Sequence, residues 1–285
     1  MEEDSQLDLF APILRSDALM GPLLLAARLF TTGIFVFYTQ NVVTNNAPSG
    51  FLYLAIAVDL FGVVLVALGY KARFAALMMA GSILATLLFR ESMGLPRGFF
   101  TTLKVLAVAS GFFFMFAYGP GPLSFDRYRA STLGKLDKKA NTNFLYRVLN
   151  SKEAIAPLLL VARIVSTLVF FAAGIGKIVH TPVTRAYMTR HNPHVPTNLV
   201  YLAVLTQFIF PVLVLLGYKT RYGALALSGF CIIATVLFHA EFGVPSEVEQ
   251  FLLDFAIAGG FLFMFAQGPG PLSLDARSAR SHKII

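Results

Sequence analysis

All five histidines lie in the second half of the chain, His282 in the terminal tail and His180, His191, His194 and His239 before it, and Glu241, Glu247 and Glu249 follow the last of these four. Imidazoles beside carboxylates relay protons or bind a transition metal. No metal site is assigned, because the sequence has neither an HxH nor an HExxH spacing. Nor do two histidines stand at matched depth in apolar runs, as a b-type haem needs. Ordinary polar loop positions account for the same residues. His239, which ends an apolar run, is the best candidate for proton or substrate chemistry. Lys177 follows Gly174 and Gly176, a spacing that admits a close neighbouring helix and leaves the ammonium at head-group level.

Arg28 and Arg163 fall well inside apolar runs. An arginine at mid-membrane costs about 3 kcal/mol on insertion scales, so each needs a partner, a polar cavity or an interface. Asp59 is the expected ion-pair partner of Arg28, and the matching position, Gln207, offers Arg163 an amide. Lys104 and Asp254 are both expected to reach the outer interface, Lys104 more easily than Asp254. Cys231 is the single cysteine, so no disulfide within the chain and no CxxC pair exist.

These side chains must be positioned by helices surrounded by lipid. The chain has 285 residues, 56% of them hydrophobic and only 13% charged, against about 25% charged in soluble domains. About 20 apolar residues cross a bilayer core. Eight runs qualify as approximate spans: 19–38, 51–69, 72–89, 99–118, 154–179, 199–216, 222–238 and 250–267. The sequence therefore predicts an all-α polytopic membrane protein. The net charge of +8 lies mainly in one loop and the tail, and no basic-aromatic ladder suggests nucleic acid. The first 18 residues lack the basic start of a cleavable signal, so the first span is expected to be retained.

The chain also repeats itself. Residues 111–126, GFFFMFAYGPGPLSFD, match residues 260–275, GFLFMFAQGPGPLSLD, at thirteen of sixteen positions. LLLAAR at 23–28 answers LLLVAR at 158–163, and LGYKAR at 68–73 answers LGYKTR at 216–221. Repeats of this kind mark duplicated units. Four spans per unit leave both copies the same way up, giving two parallel four-helix bundles. The expected organisation is an N-terminal segment at 1–18, units at 19–126 and 154–275, a basic linker at 127–153 and a tail at 276–285. Fifteen basic residues fall on the side of the termini and five on the other. The positive-inside rule then places both termini in the cytoplasm of a multi-pass cell-membrane protein.

Phe144, Leu145, Val148 and Leu149 beside Lys138, Lys139 and Arg147 fit either a surface helix or a plain basic linker. The GPGP segments lack the GKS/T ending of a phosphate loop and read as rigid exits from helices, with Ser124, Asp126, Ser273 and Asp275 available as caps. Pro211 is expected to open space beside Gln207. Between its first two spans the first unit has a short loop, 39–50. The second has a long insertion, 174–198, which makes that end of the second unit the richer site.

With these motifs both units resemble the DoxX/DoxD family of small four-helix membrane proteins. The second is the closer, through RIVSTLVFFAAGIGKI at 163–178, LLGYKTRYGALAL at 215–227, FHAEF at 238–242 and GPGPLSLD at 268–275. Arg163, Lys177, His239 and Asp275 occupy recurring family positions. The first unit keeps Arg28, LGYKARFAALMM at 68–79 and GPGPLSFD at 119–126, but lacks the GxxK arrangement and has Arg90 in place of His239. Some members of the family look like membrane subunits of quinone-linked sulfur oxidation, and others are associated with oxidative-stress complexes. The resemblance implies a membrane subunit of a quinone-linked oxidoreductase, working with a partner redox subunit. Arg163, Lys177 and His239 would stabilise charge and transfer protons, and Arg28, Asp59 and Gln207 would hold the cofactor, quinone. Two other readings stand beside it: a noncatalytic assembly or small-molecule-binding subunit, and a small-anion transporter.

Overall fold

A computed structural model describes residues 10–45, 50–89, 98–133 and 151–281. The proposed surface helix of the linker, Arg90, Arg97 and His282 lie outside the described residues. Among the described residues every regular element is a helix: α1 (Ala11–Arg15), α2 (Asp17–Asn45), α3 (Gly50–Leu68), α4 (Ala72–Leu88), α5 (Phe99–Tyr118), α6 (Phe125–Leu133), α7 (Lys152–Val179), α8 (Thr181–His191), α9 (Leu199–Leu216), α10 (Thr220–Phe238), α11 (Pro245–Gln267) and α12 (Leu274–Ser281).

Six of these, α2, α5, α7, α9, α10 and α11, are long and apolar enough to cross a membrane, and α3 and α4 are shorter apolar helices. Large side chains such as Phe61, Phe74, Leu205 and Val236 stand exposed on the outer faces of α3, α4, α9 and α10. Such a surface suits hydrocarbon and not water. The chain is a polytopic membrane protein.

The helices depart from the sequence reading in three places, one of them the start of α11 at Pro245, five residues before the expected 250. Helix α2 runs on through Asn45, over part of the expected 39–50 loop, because no glycine or proline interrupts the chain between Gly33 and Pro48. Within the 174–198 insertion a further helix forms, α8, with a proline in its first turn, where the ring's fixed φ and missing N–H are tolerated.

The long helices follow one another around a closed ring, each packed on the next from α2 to α5, then α7, α9, α10 and α11, which returns to α2. Helices α5 and α11 also pack on each other across the middle. The first helix of each group of four thus lies on the last helix of the other group, so the two bundles share their central wall. Small residues permit this. A Cβ on Gly111 would stand 2.8 Å from the Gly260 Cα, and one on Gly259 would stand 2.6 Å from the Ala27 carbonyl oxygen. Around these crossings Phe112, Phe114, Phe261 and Phe263 are fully buried.

At the end where α2 begins, the two repeated motifs lock onto each other. The Asp126 carboxylate accepts from the backbone N–H groups of Lys71, at 2.7 Å, and Ala72, at 2.9 Å. Asp275 does the same for Lys219, at 2.8 Å, and Thr220, at 3.0 Å. Each aspartate therefore caps the start of another helix, α4 or α10, beyond the local capping expected of it. Serine behaves as expected: Ser273 Oγ accepts from the Ala276 N–H at 3.1 Å. The capped turns are tight, with Lys71 and Lys219 both at φ 45°, a region that non-glycine residues rarely adopt. Asp275→Ala removes three hydrogen bonds, one of them from the Thr220 hydroxyl. The loss expected is about 1–2 kcal/mol of stability, read as a lower thermal midpoint in detergent by size-exclusion chromatography.

Candidate functional site

The same clasp takes up both buried arginines. Arg28 donates from Nη1 to the Val66 carbonyl at 3.4 Å and from Nη2 to that of Leu123. Arg163 donates from Nη2 to the Leu272 carbonyl. The expected Arg28–Asp59 ion pair does not form. The Arg28 guanidinium reaches toward the GPGP loop, where a helix end and a turn leave carbonyls without helical partners, while Asp59 accepts a 2.5 Å hydrogen bond from Ser82 Oγ on α4. Nor does Arg163 meet Gln207. Arg28, Asp59 and Arg163 all stand outside the cavity described next.

That cavity, of about 830 Å³, opens among α7, α8, α9, α10 and α11, toward the end opposite the clasp. It brings together three of the sequence-predicted residues, Lys177, Gln207 and His239. Each is there for a local reason. Lys177 sits in the last turn of α7. Gln207 lies four residues before Pro211 in α9, so its backbone carbonyl loses the usual helical donor, and the space expected beside it is present. His239 is the residue at which α10 ends. The walls are apolar, with Val169, Phe170, Phe210, Phe230, Ile233 and Leu237.

Three kinds of polar group face this space. Gln207 is only 4% exposed, and its Oε1 has no hydrogen-bond partner among the described residues. The Lys177 ammonium makes no hydrogen bond or ion pair with a described residue, although it lies in the electrostatic field of Lys104 and Asp254. The third group is an ion pair: Lys104 Nζ stands 2.7 Å from Asp254 Oδ1 and donates to Gln250 Oε1 at 2.6 Å. Lys104 comes from α5, so the first half of the chain supplies part of the second half's cavity. Both residues were expected to reach an interface separately. They pair because α5 and α11 cross at the centre of the molecule, and an ion pair offsets part of the cost of removing each charge from water.

At the mouth, His239 Nδ1 is 2.6 Å from Glu247 Oε2. Tyr187 on α8 donates to the same carboxylate oxygen at 3.2 Å and lies 3.1 Å from His239 Nδ1. Its ring stacks on His191, with centroids 3.9 Å apart. Burial first, then the Glu247 charge, pushes the Tyr187 hydroxyl well above its ordinary pKa, so it remains a donor. A carboxylate on Nδ1 favours the tautomer with its proton there. Nε2, which makes no hydrogen bond with a described residue, is then the nitrogen open to exchange a proton. His180 and His194 are exposed and take no part in this network. Among the described residues no group of three His, Cys, Asp or Glu side chains is arranged to hold a metal ion.

Sequence reasoning overlooked Tyr187 and the Lys104–Asp254 pair. A signal for the first was Tyr187 four residues before His191, which places both on one face once 181–191 is read as a helix. For the second it was two opposite charges at nearly equivalent depths in the two repeats.

The profile of the DoxX family matches residues 158–240, the stretch that carries Lys177, Gln207 and His239. The chain is 36% identical over 116 residues to the inner membrane protein YqjF of Escherichia coli (strain K12), covering 41% of this chain and 88% of that protein. It is 30% identical over 125 residues to the inner membrane protein YphA of the same organism, covering 42% of this chain and 89% of that one. No solved structure matches.

Proposed function

The chain belongs to the DoxX family, and on that premise we propose that it is a quinone-binding membrane subunit of an oxidoreductase. One observation carries the reading: a roomy apolar cavity at membrane depth in which Lys177, Gln207 and His239 converge. Ligand sites have this character, apolar walls with a few convergent polar groups. Quinone fits the residues present. Lys177 can donate to a ring oxygen, and the unpartnered Gln207 Oε1 can accept from the hydroxyl of the reduced form. His239, held by Glu247, can give or take the accompanying proton through Nε2. Quinone supplies the two-electron chemistry when bound, and electrons reach the site from a partner redox subunit.

The two halves are, on this reading, tandem copies of one four-helix unit, at 19–126 and 154–275. Their matched glycine φ angles, 65° and 68° at Gly69 and Gly217 and 88° and 85° at Gly119 and Gly268, support this. So does the size of the curated relatives, each of which matches about 41–42% of the chain. The copies have diverged in use. The first satisfies Asp59 with Ser82, acts as scaffold and lends Lys104 to its neighbour. The second holds the ligand. The chain lies in an inner or cell membrane, as the names of its relatives say of them, with both termini cytoplasmic and the cavity toward the other face.

His239→Ala tests the proton role. Quinone reduction by membranes containing the intact complex should fall on the order of 100-fold, as general acid–base groups contribute, while assembly is unchanged on native gels. Unchanged turnover in correctly inserted protein would remove His239 from the mechanism.

A further inference from the structure

We propose that the cavity binds its ligand as an anion: an apolar molecule with one ionised ring hydroxyl and a second hydroxyl free to donate. This deepens the quinone reading and rests on it, narrowing the ligand to an acidic hydroxyquinone or a related phenolic anion.

The charge inventory of the cavity leads there. Its lining includes two ammonium groups, Lys104 and Lys177, and one carboxylate, Asp254. That carboxylate is already engaged, by Lys104 at 2.7 Å and by Thr235 Oγ1 at 3.3 Å. Glu247, the nearest acid of the mouth, is likewise engaged by His239 and Tyr187. One positive charge is left over, on Lys177, among apolar walls. An uncompensated charge in such surroundings is costly, and an anionic oxygen from the ligand removes the cost. The second feature is the Gln207 amide, 4% exposed, whose Oε1 has no partner among the described residues. A buried acceptor left unpaired costs about 1–3 kcal/mol, and a plain quinone, which has carbonyls but no donor, cannot satisfy it. A ligand with an ionised oxygen for Lys177 and a hydroxyl for Gln207 answers both needs. Its alkyl chain would lie along Phe210, Phe230 and Ile233.

The test compares two probes on the wild-type protein in nanodiscs: 2,5-dihydroxy-3-undecyl-1,4-benzoquinone, at a pH where one hydroxyl is ionised, and its 2,5-dimethoxy counterpart, which cannot ionise or donate. The dihydroxy probe should bind at least about 10-fold tighter, the range of one charge-assisted hydrogen bond. Lys177→Met should shrink that ratio toward one. Saturable binding of both probes with equal affinity, or tighter binding of the dimethoxy probe, overturns the inference and leaves the quinone reading standing. Binding of neither removes both. The wild-type comparison decides even where the variant fails to fold.

Discussion

Gly229→Trp should abolish saturable quinone binding while leaving the protein folded. Gly229 lies on the cavity face of α10, and a Cβ built there meets nothing within 4 Å. An indole at that position therefore grows into the cavity and not into a wall. Replacing a mid-helix glycine also removes a destabilising residue, worth up to about 1 kcal/mol, so the thermal midpoint should hold or rise. Decylubiquinone affinity, measured by equilibrium binding in nanodiscs, should fall about 100-fold or more, equivalent to about 3 kcal/mol. Full binding by a well-folded Gly229→Trp protein would place the ligand elsewhere. The pairing of retained stability with lost binding matters, because a merely structural cavity would be filled without consequence.

Gly260→Val should have the opposite profile, loss of the fold itself. A Cβ at Gly260 would stand 3.1 Å from the Gly111 Cα, tighter than an ordinary contact, with backbone on the other side that has no rotamer to change. The added methyl groups of valine force α5 and α11 apart. Overpacking of this kind costs about 3 kcal/mol, and more where backbone must move. It also pulls Lys104 from Asp254, since those residues sit on the same two helices. Gly81→Val is the control, because a Cβ there meets nothing within 4 Å. In detergent the Gly260 variant should elute as aggregate or unfold well below the wild type, and the Gly81 variant should match it. Equal stability of the two would mean that the halves do not share a central wall.

The helices themselves were legible because hydrocarbon imposes a simple rule: a span reads as an apolar run, and α5 and α9 have the bounds the runs predicted. Helix α8 was not legible, since its short polar segment, TPVTRAYMTRH, has no apolar stripe to mark it. Partnership between helices was legible least. Antiparallel neighbours at similar depth suggested Arg28 with Asp59, but depth leaves open which way a side chain turns. Carbonyls freed at helix ends drew the arginines to the clasp, while Ser82 satisfied Asp59. The candidate site follows the same pattern. Lys177, Gln207 and His239 could be picked out because polar groups at the ends or in the middle of apolar runs need a reason. Lys104 could not be assigned to them, because its presence depends on α5 lying beside the second group of helices.

Photolabelling with an azidoquinone reports where the ring sits and not only that it binds. In native membranes the label should fall on α7, α9 and α10 residues lining the cavity, among them Phe170, Phe210 and Phe230, and excess decylubiquinone should displace it. Label spread evenly over the lipid-facing helices, or concentrated on α3 and α4 and insensitive to competitor, would mean that the cavity is not a quinone site.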